Sequence, residues 1–137
     1  MFSQYRLTFM LRDWFNKRGS AEDKVVSEGS PKLSIDKRVF FDLFKNYRRR
    51  ITIRLVAENE EMGISDLAEQ LTIEETGKEP EDDRTEFKKR YVSLYQIHLP
   101  KLDASGLIDF NNETGVVEIR RDGRLASDLL KIIDRGF

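Results

Sequence analysis

The sequence predicts a mainly helical fold of the α+β class, and three observations favour it. Apolar residues recur at spacings of three and four over several short segments, as in amphipathic helices. A longer helical pattern runs from about Arg84 to Ala104 and ends near Gly106. Two short apolar runs then flank the turn residues "NNETG", which predicts a β-hairpin directly after the longest helix.

Composition argues against several functional classes. The chain has 137 residues, 39% of them apolar, which suits one core of ordinary size. The absence of cysteine and the single histidine argue against a disulfide framework, a zinc site and a Ser-His-Asp triad. We therefore expect no metal, no cofactor and no enzymatic activity. No run of 18 apolar residues occurs, and charges interrupt the first residues, so a cytoplasmic protein is expected.

Residues 1–33 are predicted to form an appendage. Leu7, Leu11 and Trp14 recur at helical spacing and mark one face of a short amphipathic helix, although the alternation in "YRLTFML" also permits a strand. A linker rich in glycine, serine and charge follows, with Pro31 near its end. The main domain is then expected over residues 34–137.

Three helices are predicted in the first half of the main domain. The first is capped by Ser34 or Asp36 and closed by Asn46. The second covers "YRRRITIRLVAENE". After a short strand or turn that ends at Gly63, Ser65 is expected to cap the third helix, "SDLAEQLTIEE".

The second half is predicted to contain an acidic loop, the long helix, the hairpin and a last helix. Pro100 lies inside the long helix and removes one backbone donor, so a kink or break is expected near Gln96. Gly106 supplies the left-handed residue that ends the helix. The last helix, "GRLASDLLKIIDRGF", carries an apolar stripe formed by Leu125, Leu129, Ile132 and Ile133.

This order of elements is that of a winged helix-turn-helix with a β-hairpin wing and flanking N- and C-terminal helices. The long helix corresponds to the second helix of the helix-turn-helix motif, which enters the major groove of DNA in proteins of this type. The hairpin corresponds to the wing, and its tip spans residues 111–115.

Three strings strengthen this assignment: "FDLFKNYRRRITIRLV", "ISDLAEQL" and "KKRYVSLYQIHLPKLDASGLIDFNNETGVVEI". They resemble an uncharacterised winged-helix family of mainly halophilic archaea, in which an R-R-R block precedes a Y-x-x-L-Y-Q-x-H-L-P-K-L-D-x-x-G motif. The resemblance covers roughly residues 34 to 120. It implies similarity to bacterial-type winged-helix transcriptional regulators, and with it double-stranded DNA binding by a cytoplasmic homodimer.

Candidate DNA-binding residues fall into three groups. Basic side chains and helix termini bind phosphates, while polar side chains on an exposed helix face contact base edges. The candidates are the arginine block Arg48, Arg49 and Arg50; the long-helix residues Lys88, Lys89, Arg90, Ser93 and Gln96; and the wing residues Asn111, Asn112, Arg120 and Arg121.

Other interpretations of the same residues stay open. The arginine block could instead be a solvated helix start paired with the acidic segment 74–83. A lone histidine such as His98, before Pro100, is more often a packing residue than a contact to DNA. The long helix is also apolar nearly all round between Tyr91 and Leu99, which argues against a fully exposed recognition surface.

The apolar excess of the long helix and the last helix favours a symmetric partner. A homodimer is expected through Leu125, Leu129, Ile132 and Ile133, with a contribution from Leu7, Leu11 and Trp14. Binding of the N-terminal helix to a membrane surface is a weaker alternative. A winged-helix module for protein association, without DNA binding, is the alternative function, because a fold alone does not determine function.

Overall fold

The elements follow the predicted order in the computed structural model, which describes residues 33–134. They are α1 (Lys37–Phe44), α2 (Tyr47–Asn59), β1 (Glu61–Gly63), α3 (Ile64–Thr76), α4 (Arg84–Ser93), a π-helical turn (Leu94–His98), α5 (Leu99–Ala104), β2 (Ile108–Asn111), β3 (Val116–Ile119) and α6 (Arg121–Asp134). The strands form one antiparallel sheet in the order β1-β3-β2. The predicted mainly helical α+β, winged-helix-like fold is therefore confirmed, while the predicted N-terminal helix with Leu7, Leu11 and Trp14 lies outside the described residues.

The helix starts show where local sequence signals succeed and fail. Asp36 caps α1 as predicted, because its Oδ1 accepts a hydrogen bond from the Arg38 amide at 2.7 Å. Asn46 does not close α1 but caps α2, and its Oδ1 accepts from the Arg49 amide at 3.2 Å. The prediction that Ser65 caps α3 is also wrong. That helix begins at Ile64, whose amide donates to the Gly115 carbonyl at 2.8 Å in the wing.

The long helix runs without a break from α4 through a π turn to α5, so its winding changes ahead of Pro100. Proline has no amide hydrogen, and its ring clashes with the carbonyl four residues earlier in an α-helix. The chain avoids this clash with the π-helical turn Leu94–His98, in which the Leu99 amide donates to the Leu94 carbonyl five residues back. The kink or break predicted near Gln96 is thus a π turn.

A Schellman motif ends α5. The Leu107 amide donates to the Leu102 carbonyl at 3.1 Å, and the Gly106 amide donates to the Asp103 carbonyl at 2.9 Å. The motif needs a left-handed residue, and Gly106 has φ of +79°. The motif leads within three residues from the end of α5 into β2.

The wing is a short hairpin whose turn is stabilised by its own first residue. Phe110 of β2 pairs with Val117 of β3, and β1 adds on the other edge of β3 through Met62 and Val117. The Asn111 Oδ1 accepts hydrogen bonds from the amides of Glu113 and Thr114 at 3.0 and 3.2 Å. The hairpin prediction is therefore confirmed.

The core fills the space between α1, α2, α3, the long helix and α6. Phe40 and Phe44 of α1 are fully buried, with ring centroids 4.9 Å apart. In α6, Leu129 and Ile133 face this core and are at most 5% exposed, because α6 packs along α2. These two residues were predicted to lie in a dimer interface, and that placement is wrong. Leu125 is half-buried, and Ile132 is 51% exposed on the outer side of α6.

The close approach of α6 to the start of the wing depends on Gly123. A Cβ atom at this position would overlap the Leu107 carbonyl oxygen and lie 2.6 Å from Cδ1 of Ile119. We expect Gly123→Ala to lower the free energy of unfolding by about 2 kcal/mol or more, as overpacking does in other cores. Urea denaturation followed by circular dichroism measures this change.

Gly63→Ala is the matched control. Its Cβ would contact only Asp66 Oδ2, at 3.7 Å, and its backbone φ of −77° suits any residue. The cost at this helix-capping position should stay below about 1 kcal/mol. Equal destabilisation by both substitutions would show that the Gly123 contact is not tight.

Candidate nucleic-acid interface

One face of the long helix points away from the core. Together, the side chains on this face line a single shallow depression; they belong to Thr85, Lys88, Lys89, Val92, Ser93, Gln96 and Ile97. We call this set the α4 face. Its members are exposed except for the half-buried Ser93. Lys88, Lys89, Ser93 and Gln96 were predicted for such a face, while Thr85, Val92 and Ile97 were not.

The π-helical turn explains why both Gln96 and Ile97 belong to the α4 face. In an α-helix, only the third and fourth residues after Val92 would lie below it. A π turn closes on the fifth residue instead of the fourth, so it brings Ile97 to the same side as Gln96. Pro100 indicates in the sequence that the helix is irregular near Gln96. It does not indicate that Gln96 and Ile97 would both lie on the exposed side.

The two lysines of the α4 face differ in their surroundings. Lys89 is 67% exposed, and its Nζ lies 3.1 Å from Glu86 Oε2. This hydrogen bond is the main reason that the pKa of Glu86 is lowered, so that the carboxylate stays ionised. Within residues 33–134, Lys88 has no ion-pair partner. Lys88 is therefore the less neutralised cation on this face.

The Glu75 carboxylate binds two arginines under the α4 face. Its oxygens accept from Arg48 Nε of α2 at 2.9 and 3.1 Å, and from Arg90 Nε of α4 at 2.6 Å. The Arg90 side chain is only 7% exposed and also donates to the Glu86 carbonyl at 3.0 Å. The prediction that Arg90 lies on the DNA-facing surface is therefore wrong, since its guanidinium is buried and bound to Glu75. Arg48 is likewise occupied by Glu75.

Arg49 is also inside the protein. It is 7% exposed, and its Nε donates to the Leu43 carbonyl at 2.7 Å. Its Nη1 lies 3.4 Å from His98 Nδ1. A guanidinium group only donates hydrogen bonds, so Nδ1 is the acceptor and the ring proton is on Nε2. The assignment of Arg49 as a phosphate contact is wrong, because its hydrogen bonds tie α1 to the long helix.

Arg50 is held by the end of α1 and by its own helix. Its Nη1 donates to the Phe44 carbonyl at 2.6 Å, and its guanidinium lies 5.5 Å from the centre of the Tyr47 ring. Both residues line a groove between α2 and α6. The alternative that the arginine block pairs with the acidic segment holds for Arg48, which contacts Glu75, but not for Arg49 and Arg50, which donate to backbone carbonyls. Beyond the block, Arg54 contacts Glu74 at 2.8 Å. Both glutamates lie on α3 and not in a loop.

His98 is a packing residue, as was predicted for a lone histidine before Pro100. It is 4% exposed, and burial lowers its pKa to about 4, with the charge of Arg49 as the next cause. His98 is therefore neutral at physiological pH and does not act as a contact for DNA phosphates.

The wing is acidic. Between Leu107 and Ile119 it carries Asp109, Glu113 and Glu118 and no lysine or arginine. Asn111 and Asn112 are exposed at the tip, although the side-chain oxygen of Asn111 is engaged by the turn. The absence of basic residues was visible in the sequence and argues against phosphate binding by the wing tip.

The two arginines after the wing are predicted phosphate contacts that reach the surface. Arg120 Nη1 lies 3.5 Å from Asp109 Oδ1, and the Arg120 side chain is 52% exposed. Arg121 is 68% exposed and lies 3.7 Å from Asp122 Oδ1. Both cations are thus partly neutralised at the base of the wing.

The part of the chain that the structure describes contains no cluster of histidine, cysteine, aspartate or glutamate that could hold a metal ion. None of the helices described there has the length and apolar character needed to cross a membrane.

Replacement of Glu75 by glutamine should destabilise the domain, because the buried Arg90 would lose its shorter ion pair, at 2.6 Å, and keep the longer one to Glu86 Oε1 at 3.4 Å. Breaking one side of a buried ion pair costs about 3–5 kcal/mol, and the partial exposure of Arg48 places the expected loss near the lower limit. Urea denaturation measures it. Glu74→Gln is the control: Glu74 and Arg54 are 39% and 36% exposed, and such a pair contributes less than about 1 kcal/mol. Equal losses in the two variants would contradict the role given to Glu75.

The buried His98 makes stability depend on pH. Its pKa is about 4 in the folded chain against an ordinary value of 6.5, so the unfolded chain binds the proton first as the pH falls. The free energy of unfolding is then fully retained above pH 6.5 and decreases toward pH 4. Between pH 7 and pH 5 the decrease should be about 2 kcal/mol, at about 1.4 kcal/mol per pKa unit. His98→Gln should lack this part of the decrease, and parallel curves for the two proteins would refute the assignment.

Comparison with known families assigns the chain to a family. A family model described as a domain of unknown function (DUF7344) matches residues 41–118, which is more than half of the chain. The matched range runs from α1 to β3 and includes the whole α4 face. No curated protein and no solved structure gives a significant match.

Proposed function

The chain belongs to the DUF7344 family, a domain of unknown function, and we propose that this protein is a DNA-binding transcriptional regulator of the winged-helix type. The observation that carries the proposal is the α4 face. It places two lysines, a threonine and a glutamine together on the exposed side of the helix that enters the major groove in winged-helix proteins. The protein acts by binding and not by catalysis.

Each polar member of the α4 face has a role in this proposal. Lys88 and Lys89 bind phosphates, which supplies affinity that does not depend on sequence. Gln96, with its amide oxygen and nitrogen, contacts base edges and supplies specificity. Thr85 and Ser93 donate to phosphate or base oxygens beside them. The contacts at the base and tip of the wing are Asn112, Arg120 and Arg121.

The arginines that are buried or bound to other protein groups are not part of the proposed interface. Arg49 and Arg90 support the helix from behind, and Arg48 and Arg50 are held by Glu75 and by backbone carbonyls. Since the wing is acidic, the phosphate contacts concentrate on α4. The interface is consequently smaller than the sequence alone predicted.

Three further statements belong to the same proposal. The protein is cytoplasmic. It is also a homodimer, because winged-helix dimers bind two half-sites on one face of DNA. The exposed Ile132 of α6 marks the proposed dimer contact on the described residues. Kinship with winged-helix proteins of halophilic archaea and with bacterial-type regulators rests on the "YRRR" and "YVSLYQIHLPKLDASG" strings.

The dimer is tested by light scattering during size-exclusion chromatography of the full chain. The proposal predicts a dimer mass at micromolar concentration and a shift toward the monomer in Ile132→Glu, because a buried, unpaired carboxylate is costly at an interface. Val39→Glu, at a position 41% exposed on α1, is the matched control and should keep the dimer mass. A wild-type chain that elutes as a monomer would end this part of the proposal.

DNA binding is tested by fluorescence anisotropy with mixed-sequence duplex DNA at two salt concentrations. We expect affinity that falls steeply with salt, and a weaker dependence in Lys88→Ala, with the slope of log K against log salt reduced by about 1. Lys89→Ala should have a smaller effect, because Glu86 already neutralises Lys89.

Lys131→Ala is the control for both lysine variants. Lys131 lies on α6, in the groove beside Arg50 and not on the α4 face. Its replacement should leave both affinity and salt slope unchanged. Identical slopes for the Lys88 and Lys131 variants would place the DNA contact elsewhere, and no binding by the wild type at low salt would refute DNA binding.

Protein association is the second candidate function, and a specific observation favours it. Val92, Tyr95 and Ile97 are 39–48% exposed on the long helix, beside an acidic wing. A partner with apolar and basic side chains would complement such a surface. If duplex DNA does not bind at low salt while cross-linking from position 92 captures a defined protein, this candidate replaces the first.

A further inference from the structure

Two apolar side chains interrupt the polar surface of the α4 face. Val92 is 39% exposed and Ile97 is 48% exposed, and both line the same depression as Gln96. Neither is needed by the core, since the opposite side of the helix supplies the buried Leu94 and Leu99. Their branched methyl groups therefore form an apolar patch in the middle of the surface that would face the bases.

The major groove contains one strongly apolar group, the C5 methyl of thymine. Branched aliphatic side chains pack against this methyl and exclude water from it. A cytosine at the same place would instead present its N4 amino group, which would lose hydrogen bonds to water without gaining a partner from Val92 or Ile97. The patch consequently favours thymine.

Gln96 supplies the complementary contact. A glutamine amide forms a bidentate pair with N6 and N7 of adenine, the base that pairs with thymine. In the π-helical turn, Gln96 and Ile97 are adjacent and both lie below Val92 on the α4 face. One amide and two aliphatic side chains are thus placed to contact neighbouring base pairs.

We propose that the α4 face recognises adenine–thymine base pairs, with Gln96 bound to an adenine and Val92 and Ile97 packed against thymine methyl groups. This inference rests on the proposed function and names its substrate class. Lys88 and Lys89 line the same depression and complement the phosphates on either side of the groove, which favours DNA over an apolar protein partner as the occupant.

The experiment starts from duplexes of about 20 base pairs, enriched from a random pool by binding to the full chain. Their contacted positions should be rich in adenine and thymine. In the tightest duplex, each thymine is then replaced in turn by deoxyuridine, which keeps the base pair and removes only the C5 methyl. At one or two positions this should weaken wild-type binding about fourfold, the value of one buried methyl group.

Variants assign the methyl contacts to residues. At the thymine that Val92 contacts, replacement by deoxyuridine should no longer weaken binding when the protein is Val92→Ala. Gln96→Ala should lose at least about fivefold of its preference for adenine over guanine at one position. Val39→Ala removes a similarly exposed aliphatic side chain from α1, away from the proposed dimer contact, and should keep the full discrimination against deoxyuridine. Val92, Gln96 and Val39 are all exposed, so folding is retained in each variant.

The outcomes separate this inference from the proposed function. No binding to any duplex would refute DNA binding itself. Tight binding with equal affinity for thymine and deoxyuridine at every position would overturn the thymine contact while DNA binding stands. If Val92→Ala and Ile97→Ala both still bound thymine more tightly than deoxyuridine at every position, the methyl contact would not belong to the α4 face.

Discussion

The Glu75 carboxylate is the contact on which the position of the long helix depends. It lies on α3 and joins Arg48 of α2 to Arg90 of α4, so three helices meet at one side chain. Transfer of such charges from water costs several kcal/mol per ion, and their mutual attraction roughly offsets that cost. The network therefore contributes less to net stability than to geometry, since a displacement of α4 would break the 2.6 Å contact between the buried Arg90 and Glu75.

A second connection holds the far half of the same helix. Arg49 joins the carbonyl at the end of α1 to His98, the last residue of the π-helical turn. The π turn exists because Pro100 follows, and it turns Gln96 and Ile97 outward together. Buried arginines thus orient the helix from behind, while lysines remain on the exposed side. Lysine suits an exposed side, because its compact ammonium is strongly hydrated.

Features that depend on a few neighbouring residues could be predicted from the sequence. The Asp36 cap, the helix end at Gly106, the disturbance before Pro100 and the hairpin over "NNETG" are of this kind, and each is present. Ser65 was misassigned because a backbone carbonyl of the wing, distant in sequence, satisfies the start of α3 instead.

The candidate site was less predictable, because burial depends on tertiary partners. Arg49 and Arg90 look like surface cations in a basic segment, but Glu75, His98 and backbone carbonyls hold them inside. Leu129 and Ile133 form a stripe that suits either a core or an interface, and α2 covers it. Lys88, Lys89 and Gln96 were correctly expected on the exposed side of the helix, since the apolar positions around them define the buried side.

Nuclear magnetic resonance of the uniformly ¹⁵N-labelled full chain, titrated with mixed-sequence duplex DNA at low salt, would locate the contact surface without any substitution. If the α4 face binds DNA, the largest amide shift changes should fall within residues 84–97, with little change over residues 125–134 of α6. Changes concentrated on α6, or on the groove beside Arg50, with residues 84–97 unaffected, would contradict binding through the long helix.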